Sequence, residues 1–562
     1  MKRFTLFFLG IILSAQFVLA GGIVHNTNQS AAWSRMLSRG ATTEIDGVYF
    51  NPAGLTKLGD GLHISLSSQS IFQNQTITAS YPYLNQSEYT GTVSAPVFPS
   101  VYLAYKTGKF VFSAGIMAIG GGGGASFDKG VPYMEIPIAS KVPAFADMGV
   151  TGYSVDMEFK GTSVYWGIQG GISYEINKNI SIFAGARYII AKNTYTGYIR
   201  DIHFITADGS NPRAYDFMNG VAGQATAGAA QATDFATQAT GAGNSMEPII
   251  AGGGGPLTWD QAVALGVITP EQSTGIQGGL VSFGFSEEEV AAMDMAQAQG
   301  SYYGTASYLT DLSVSLLGQA AELHGGAFLM GDQEGDITQT GNGITPIIGA
   351  NFSFMQDRLN FGLKYEFQTN MDLTNDVPDG KGFAIGFHDD GSVEYLYAND
   401  STENADLPAM FSIGMDYQLI EPLKLSLTYH TYLDKETGWA HPEDSPKEID
   451  NNFWEFAIGL EYDINEEFLV STGYLHAETG VNKHYQSNLG FSLTTNTFAL
   501  GGAWKINDMF KVNLGAYYVV YDKANYTQYE GSGVNTIAYE ETYLKSTFTA
   551  AIGVDITLGG KK

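Results

Sequence analysis

A two-residue period governs most of this chain. From Leu62 onward, segments of about ten residues carry apolar side chains at every second position, with polar residues between them. In 359–368, Phe361, Leu363, Tyr365 and Phe367 share one face, while Asn360, Gly362, Lys364, Glu366 and Gln368 share the other. Leu423, Leu425, Leu427 and Tyr429 oppose Lys424, Ser426, Thr428 and His430. Phe510, Val512, Leu514, Ala516, Tyr518 and Val520 oppose Lys511, Asn513, Gly515 and Tyr517. Successive side chains of a strand point to opposite sides, so each segment reads as a strand with one apolar face. The strands come in pairs that meet at tight polar turns: Thr107-Gly108, Asn177-Lys178-Asn179, Gln356-Asp357-Arg358, Glu421-Pro422, Asn465-Glu466 and Asn507-Asp508. A longer polar stretch follows each pair. Strands of this length cross a bilayer, and short turns on one side with long loops on the other are the layout of a bacterial barrel. The expected fold class is all-β: a transmembrane antiparallel β-barrel of about 14 strands, the even number that puts both termini on one side.

Composition narrows the alternatives. Charged residues make up 15%, against roughly 25% in soluble domains, while Tyr and Phe number 33 each and Gly 69. The mean hydropathy of -0.05 is far too low for a bundle of membrane helices. A soluble array of β-domains fits the composition equally well, but not the alternation of tight turns with long loops. Apolar faces that end in Tyr429, Trp454 and Tyr518 resemble interfacial girdles. The absence of cysteine excludes a disulfide framework and thiolate metal sites. A net charge of -29 argues against a nucleic-acid partner.

Residues 1–20 read as a signal peptide: Lys2 and Arg3, an apolar stretch, then Val18-Leu19-Ala20 before Gly21. Residues 21–58 form a short unit. Ser30 to Arg39 is expected to make about two helical turns with Ser30 as N-cap. Val48-Tyr49-Phe50-Asn51-Pro52-Ala53-Gly54-Leu55 is a turn flanked by apolar residues, with Asn51 able to satisfy buried backbone groups. Such a unit has too little apolar surface to fold alone, and a barrel lumen would house it. The barrel takes up 59–562, including a large outer loop at 200–345. That loop holds an Ala/Gly/Gln/Thr-rich tract at 222–243. Helices are expected at 259–264, 286–298 and 309–323, with starts at Asp260 and Ser286, and together they form a cap of their own. Acidic residues in the loops (Asp376, Asp379, Asp389, Asp390, Asp400, Glu443, Asp444) read as solvated surface, or as sites for divalent ions bridging to lipopolysaccharide.

No catalytic constellation is legible. There is no Gly-x-Ser-x-Gly elbow, and the nine histidines lack metalloprotease spacing, so no enzyme, cofactor or metal is expected. Gly120, Gly121, Gly122, Gly123 and Gly124 follow the third strand directly and read as a break in the barrel wall, or as a loop tip. Arg187 and Lys364 lie on lumen faces. Each suits a ligand carboxylate, or an ion pair with a wall carboxylate such as Glu366.

The signal peptide, the short unit containing Arg39-Gly40-Ala41 and Asn51-Pro52-Ala53-Gly54-Leu55, about fourteen strands and the largest loop after the fifth together resemble the FadL-type outer-membrane transport proteins. The resemblance covers the layout of the whole mature chain. It implies that 21–58 is a hatch plugging the lumen, with Asn51, Pro52, Ala53, Gly54 and Leu55 as its motif. It implies a lateral opening where the third strand meets Gly120 to Gly124, and an entry groove on the loops at 200–345 and 370–407. The implied function is passive uptake of a long-chain fatty acid or another hydrophobic small molecule, captured at the outer loops and released sideways into the bilayer. An aromatic hydrocarbon channel, a porin or a surface adhesin is the alternative. The surroundings would be outer-membrane lipid and lipopolysaccharide, and the chain a monomer. Three departures stand out: the enlarged third outer loop, the end Leu558-Gly559-Gly560-Lys561-Lys562 without a terminal aromatic, and no alignable headgroup motif.

Overall fold

The computed structural model describes residues 30–388, 390–440, 447–531 and 536–559. The expected signal peptide, Asp389, Glu443, Asp444 and the last three residues of the chain lie outside them. Two compact units are present, one of residues 202–331 and one of the remaining described chain.

The larger unit is a closed antiparallel barrel of 14 strands. They are β1 (Gly61–Ala79), β2 (Glu88–Thr107), β3 (Phe110–Phe127), β4 (Val150–Asn177), β5 (Ile180–Thr206), β6 (Gln333–Phe354) and β7 (Leu359–Glu366). β8 (Met410–Ile420), β9 (Leu423–Tyr432), β10 (Trp454–Asp463), β11 (Phe468–Glu478), β12 (Thr495–Lys505), β13 (Phe510–Tyr521) and β14 (Ile537–Leu558) complete it. β14 closes on β1 from Leu62↔Leu558 to Ala79↔Glu541, so the barrel has no free edge. Shorter strands at Asp372–Asp376, Thr402–Asn404 and Ala524–Glu530 extend the sheet beyond the barrel.

The two-residue period sorts the side chains as the sequence suggests. On β7, Asn360, Gly362, Lys364 and Glu366 are buried, while Leu359, Phe361, Leu363 and Tyr365 lie half-buried on the outside. On β5, Ile182, Tyr188 and Ile190 are exposed and Arg187 is buried. The outer surface is a belt of Ile, Leu, Phe and Tyr that only a hydrocarbon phase would match. Trp454 stacks on Tyr429 with centroids 6.2 Å apart, one patch of an aromatic rim.

Several strands run past their expected ends. β2 begins at Glu88 rather than near Ser100, and β4 begins at Val150 rather than Thr162. β5 and β6 pair from Ile180↔Phe352 out to Ile199↔Gln333, which places 333–345 in a strand and shortens the large connection from the expected 200–345. Polar residues in these extensions obscure the alternation beyond the apolar belt.

The smaller unit consists of α3 (Ala214–Ser245), α4 (Trp259–Ala264), α5 (Pro270–Ser282), α6 (Glu287–Ala291) and α7 (Met295–Leu329); α1 and α2 belong to the N-terminal segment described below. The Ala/Gly-rich tract, read as a tract without assigned structure, is a long helix. Its glycines and threonines are poor helix formers, but small residues recur every seven positions at Ala222, Ala229, Ala236 and Gly243, and all are buried. Ala306, Ser313, Ala320 and Ala327 repeat the spacing on α7, so the two helices pack closely through a small-residue seam. The helix at 259–264 lies where expected, capped by Thr258 rather than Asp260. The expected helix 286–298 is two helices, because Asp294 accepts from the Gln297 N–H at 2.7 Å and starts α7 anew. The expected helix 309–323 is the middle of α7.

Leu500, at the centre of β12, is 68% exposed on the outer belt. Leu500→Arg is expected to destabilise the barrel by about 2–4 kcal/mol, the cost of a cation at the bilayer midplane. Equilibrium unfolding in urea with the protein refolded into lipid vesicles measures it.

Candidate functional site

Residues 30–58 run once around the inner wall and meet the strands in descending order. α1 (Ala31–Ser34) starts the path: the Ala31 N–H donates to Ser67 Oγ of β1 at 3.4 Å, and Ala31 lies against Gly553 of β14. Arg35 crosses Gly515 of β13 and Gly501 of β12 and ion-pairs with Glu461 of β10. The Met36 carbonyl sits over Gly459 of β10 and Gly473 of β11. Thr428 of β9 accepts from the Gly40 N–H at 2.9 Å, and Gly40 lies on Gly414 of β8 and Gly362 of β7. The Ala41 carbonyl accepts from Asn360 of β7 at 2.7 Å. α2 (Gly47–Phe50) and a 3-10 turn at Pro52–Lys57 complete the circuit at β6 to β2.

Glycine makes this path possible. A Cβ on Gly473 would stand 2.1 Å from the Met36 carbonyl oxygen, and one on Gly414 would stand 2.1 Å from the Gly40 carbonyl carbon. On Gly459 it would be 2.6 Å from the Met36 oxygen, and on Gly515 2.7 Å from the Arg35 nitrogen. Main chain therefore rests on main chain, which is what an inward glycine in mid-strand permits. These glycines went unread in the sequence, although the alternation places each on an inward face.

The segment is tied by the motif the sequence singled out. Asn51 donates to the Thr42 carbonyl at 3.0 Å and to Asn351 Oδ1 of β6 at 2.8 Å, and Asn351 bonds in turn to Asn360 at 2.8 Å. The carbonyls of Pro52 and Ala53 accept from Ser173 of β4 and Ser181 of β5, each at 2.7 Å. A Cβ on Gly54 would meet Asn51 Nδ2 at 2.4 Å and the Thr42 carbonyl at 2.6 Å. Leu55 is fully buried, and Lys106 of β2 donates to the carbonyls of Thr56 at 2.5 Å and Leu58 at 2.8 Å. Asp46 gathers the segment itself, accepting from Ser30 at 2.9 Å and from Arg39 at 2.8 and 2.6 Å. The two expected helical turns at 30–39 shrink to the single turn of α1, capped by Ser30 Oγ at 2.9 Å, because the chain must bend along the wall, with Leu37 at φ 60°.

Arg187 and Lys364 converge on one carboxylate. Arg187 holds Glu366 through two bonds of 2.6 and 2.9 Å, and Gln169 through bonds of 2.7 and 3.1 Å. Lys364 bonds Glu366 at 2.7 Å and the Tyr49 carbonyl at 2.8 Å. Both cations lie against the Tyr49 ring, 4.9 and 4.6 Å from its centroid. Of the two partners the sequence allows for these cations, the structure shows the wall carboxylate: each is engaged with Glu366. Two cations on one carboxylate still leave a buried surplus of positive charge. The next inward residues on β5, Ile189 and Ala191, belong to a buried apolar cluster with Tyr49, Phe50, Tyr165, Met371, Leu373, Leu407 and Tyr432. Beside it, Trp33, Leu37 and Phe50 face His430, Glu455, Ala457 and Leu475 across a small cavity.

The glycine run is neither a loop tip nor the end of its strand. β3 continues through it, paired to β4 at Gly120↔Tyr165, Gly123↔Ser163 and Gly124↔Thr162 with bulges between. Gly121 has φ 79°, and a Cβ there would stand 2.1 Å from the Ser163 carbonyl oxygen. On the other side the ladder to β2 stops at Ser100↔Met117 and resumes only at Val93↔Ala125. Residues 94–99 of β2, with Pro96 and Pro99, thus face 118–124 across an interrupted ladder. Ile71, Ala95, Phe98 and Ala118 pack there, with Val164 and Trp166 against them.

Two variants test the seating of the segment. Gly473→Val is expected to displace 30–41 while the barrel still forms, read as faster hydrogen exchange of those residues with unchanged β-sheet circular dichroism. Asn51→Ala removes two bonds from a buried network and is expected to cost about 1–3 kcal/mol of local stability by the same exchange measurement. A pH effect is expected at Glu44. Burial opposes its charge, but Lys511 and then Arg39 hold it well below the usual carboxylate range. Its contribution is therefore present above about pH 4.3, the unfolded value, and is lost as pH falls further. Acid should loosen the segment, and Glu44→Gln should remove that dependence.

No family model matches the chain, and no curated protein matches it. Among solved structures, a FadL homologue of Pseudomonas aeruginosa aligns over 96% of this chain and 99% of its own, with TM-score 0.51 and 12% identity. The Pseudomonas putida toluene transporter TodX aligns over 96% and 100%, with TM-score 0.48 and 11% identity. The Ralstonia pickettii toluene transporter TbuX aligns over 95% and 99%, with TM-score 0.46 and 12% identity. By its likeness to the first of these over nearly the whole of both chains, this chain has the fold of the FadL-type outer-membrane transport proteins.

Proposed function

We propose that this protein lies in the outer membrane of a Gram-negative bacterium and takes up hydrophobic compounds passively, long-chain fatty acids foremost. One observation carries the reading: a buried apolar cluster inside the barrel abuts a charged group with surplus positive charge, Arg187, Lys364 and Glu366 against Tyr49. An acyl chain gains about 0.8 kcal/mol for each CH₂ kept from water, and a carboxylate headgroup answers the surplus charge. A neutral aromatic hydrocarbon would use only the apolar lining.

In this mechanism residues 30–58 are the hatch. Ligand enters from the side of the long connections, and its headgroup competes with Glu366 for Lys364 and Arg187. Lys364 also donates to the Tyr49 carbonyl, so drawing it away loosens α2. The ligand then leaves sideways where β2 and β3 part, past Ala118 and Phe98, into the bilayer. Partition down its gradient drives each step.

The test is uptake into liposomes holding the purified protein, with labelled oleate, toluene and a small sugar. Saturable oleate uptake with the sugar excluded is expected. Lys364→Met should weaken oleate uptake and spare toluene, and Gly121→Val, which distorts the wall, should abolish both. Toluene uptake alone would assign the aromatic class, and free passage of sugar would overturn the reading.

A further inference from the structure

The unit of residues 202–331 has one flank that its own residues leave uncovered. α3 and α7 pack antiparallel through their small-residue seam. Tyr303 donates to Asn244 Oδ1 at 2.9 Å near one end of this flank, and His324 and Asn219 are 2.6 Å apart near the other. Between these contacts, helical spacing puts Thr226, Thr233, Thr237 and Thr240 of α3 on the same side as Val314 and Leu317 of α7. All six are exposed, Val314 at 66% and Leu317 at 50%.

The threonines present methyl groups. Each hydroxyl donates to the carbonyl four residues back: Thr226 to Ala222 at 3.0 Å, Thr233 to Ala229 at 3.0 Å, Thr237 to Thr233 at 2.9 Å and Thr240 to Ala236 at 2.8 Å. Covering this flank with carbon therefore strands no donor. It carries no charge either. Asp216 and Asp234 of α3 and Asp311 and Glu322 of α7 fall on the outer sides of their helices, by the same spacing. The unit as a whole has twelve carboxylates, one arginine (Arg213) and no lysine.

These facts limit the occupant. A bilayer or lipopolysaccharide surface is anionic and repels the carboxylates. A basic protein would find no carboxylate on the flank to pair with. An identical flank meets both conditions, since two uncharged faces join while the acidic sides point away from each other. The size also fits. Twenty-five residues of helix span about 37 Å, and two helices 8–10 Å apart give roughly 700 Å², near the ~800 Å² per partner of a stable interface. We propose that this flank joins two copies of the chain about a twofold axis, as a four-helix bundle, in place of the monomer expected from the sequence.

Sedimentation of the full chain in detergent tests this, at about 0.02 M and about 0.5 M salt. The parent protein is expected to dimerise, more tightly at high salt because screening relieves repulsion between the carboxylates. Val314→Glu with Leu317→Glu should abolish the dimer and leave the helical circular dichroism unchanged, since both residues are exposed. A Thr237→Cys variant should cross-link to itself in native membranes under mild oxidation. A parent protein that stays monomeric at both salts overturns the proposal, as does a dimer indifferent to the paired glutamates. Association that weakens with salt, or capture of a synthetic lysine-rich amphipathic helix in its place, would assign the flank to a basic partner and overturn it too.

Discussion

Main chain lying directly on main chain is the contact on which the rest of this barrel depends. Where the N-terminal segment passes Gly362, Gly414, Gly459, Gly473 and Gly515, no side chain separates it from the wall. A wall bearing side chains at these points would push the segment toward the axis by the thickness of a methyl group or more. Asn351, Asn360, Ser173 and Ser181 would then lose the carbonyls and amides they now reach. Close approach thus comes first, and the hydrogen bonds that fix the segment follow from it.

Charge inside the barrel obeys a second constraint. A dry interior tolerates an ion only with a partner, and most buried ions here have one. Arg35 and Lys424 share Glu461, Arg39 has Asp46 and Glu44, and Lys511 has Glu44. The group of Arg187, Lys364 and Glu366 likewise puts two cations on one carboxylate, and it is the group that borders the apolar cluster around Tyr49.

The barrel was legible because a hydrocarbon surround forces every second residue to be apolar, and a tight turn leaves few residue choices. Strand ends were less legible: outside the apolar belt both faces of a strand meet polar surroundings, so β2, β4 and β6 extend without a visible period. The helix α3 was hidden because its stability comes from packing against α7, and a composition rich in Gly and Thr shows no such partner. Asn51 was legible as a polar group at a buried turn, and Arg187 and Lys364 as inward cations. Their common partner and the Tyr49 ring between them depend on β5 meeting β6 and β7 in one register, which no local pattern reports. The inward glycines were in view, but a missing side chain signals close approach only once something is known to approach.

The circuit of the segment has a consequence for the order of assembly. Arg35 bonds Asn513, 478 residues further along, while Lys106, 48 residues on, holds Leu58. The first residues of the segment thus wait for the last strands of the chain, and its last residues meet the first strands. Contacts of such sequence separation form late and slowly. Seating must finish as the barrel closes, since a completed ring of strands leaves no edge through which a lateral partner could be threaded. Until β9 to β13 arrive, Trp33, Leu37 and Phe50 have no wall to cover them, and the unseated segment carries a sticky apolar surface that must be shielded from other chains.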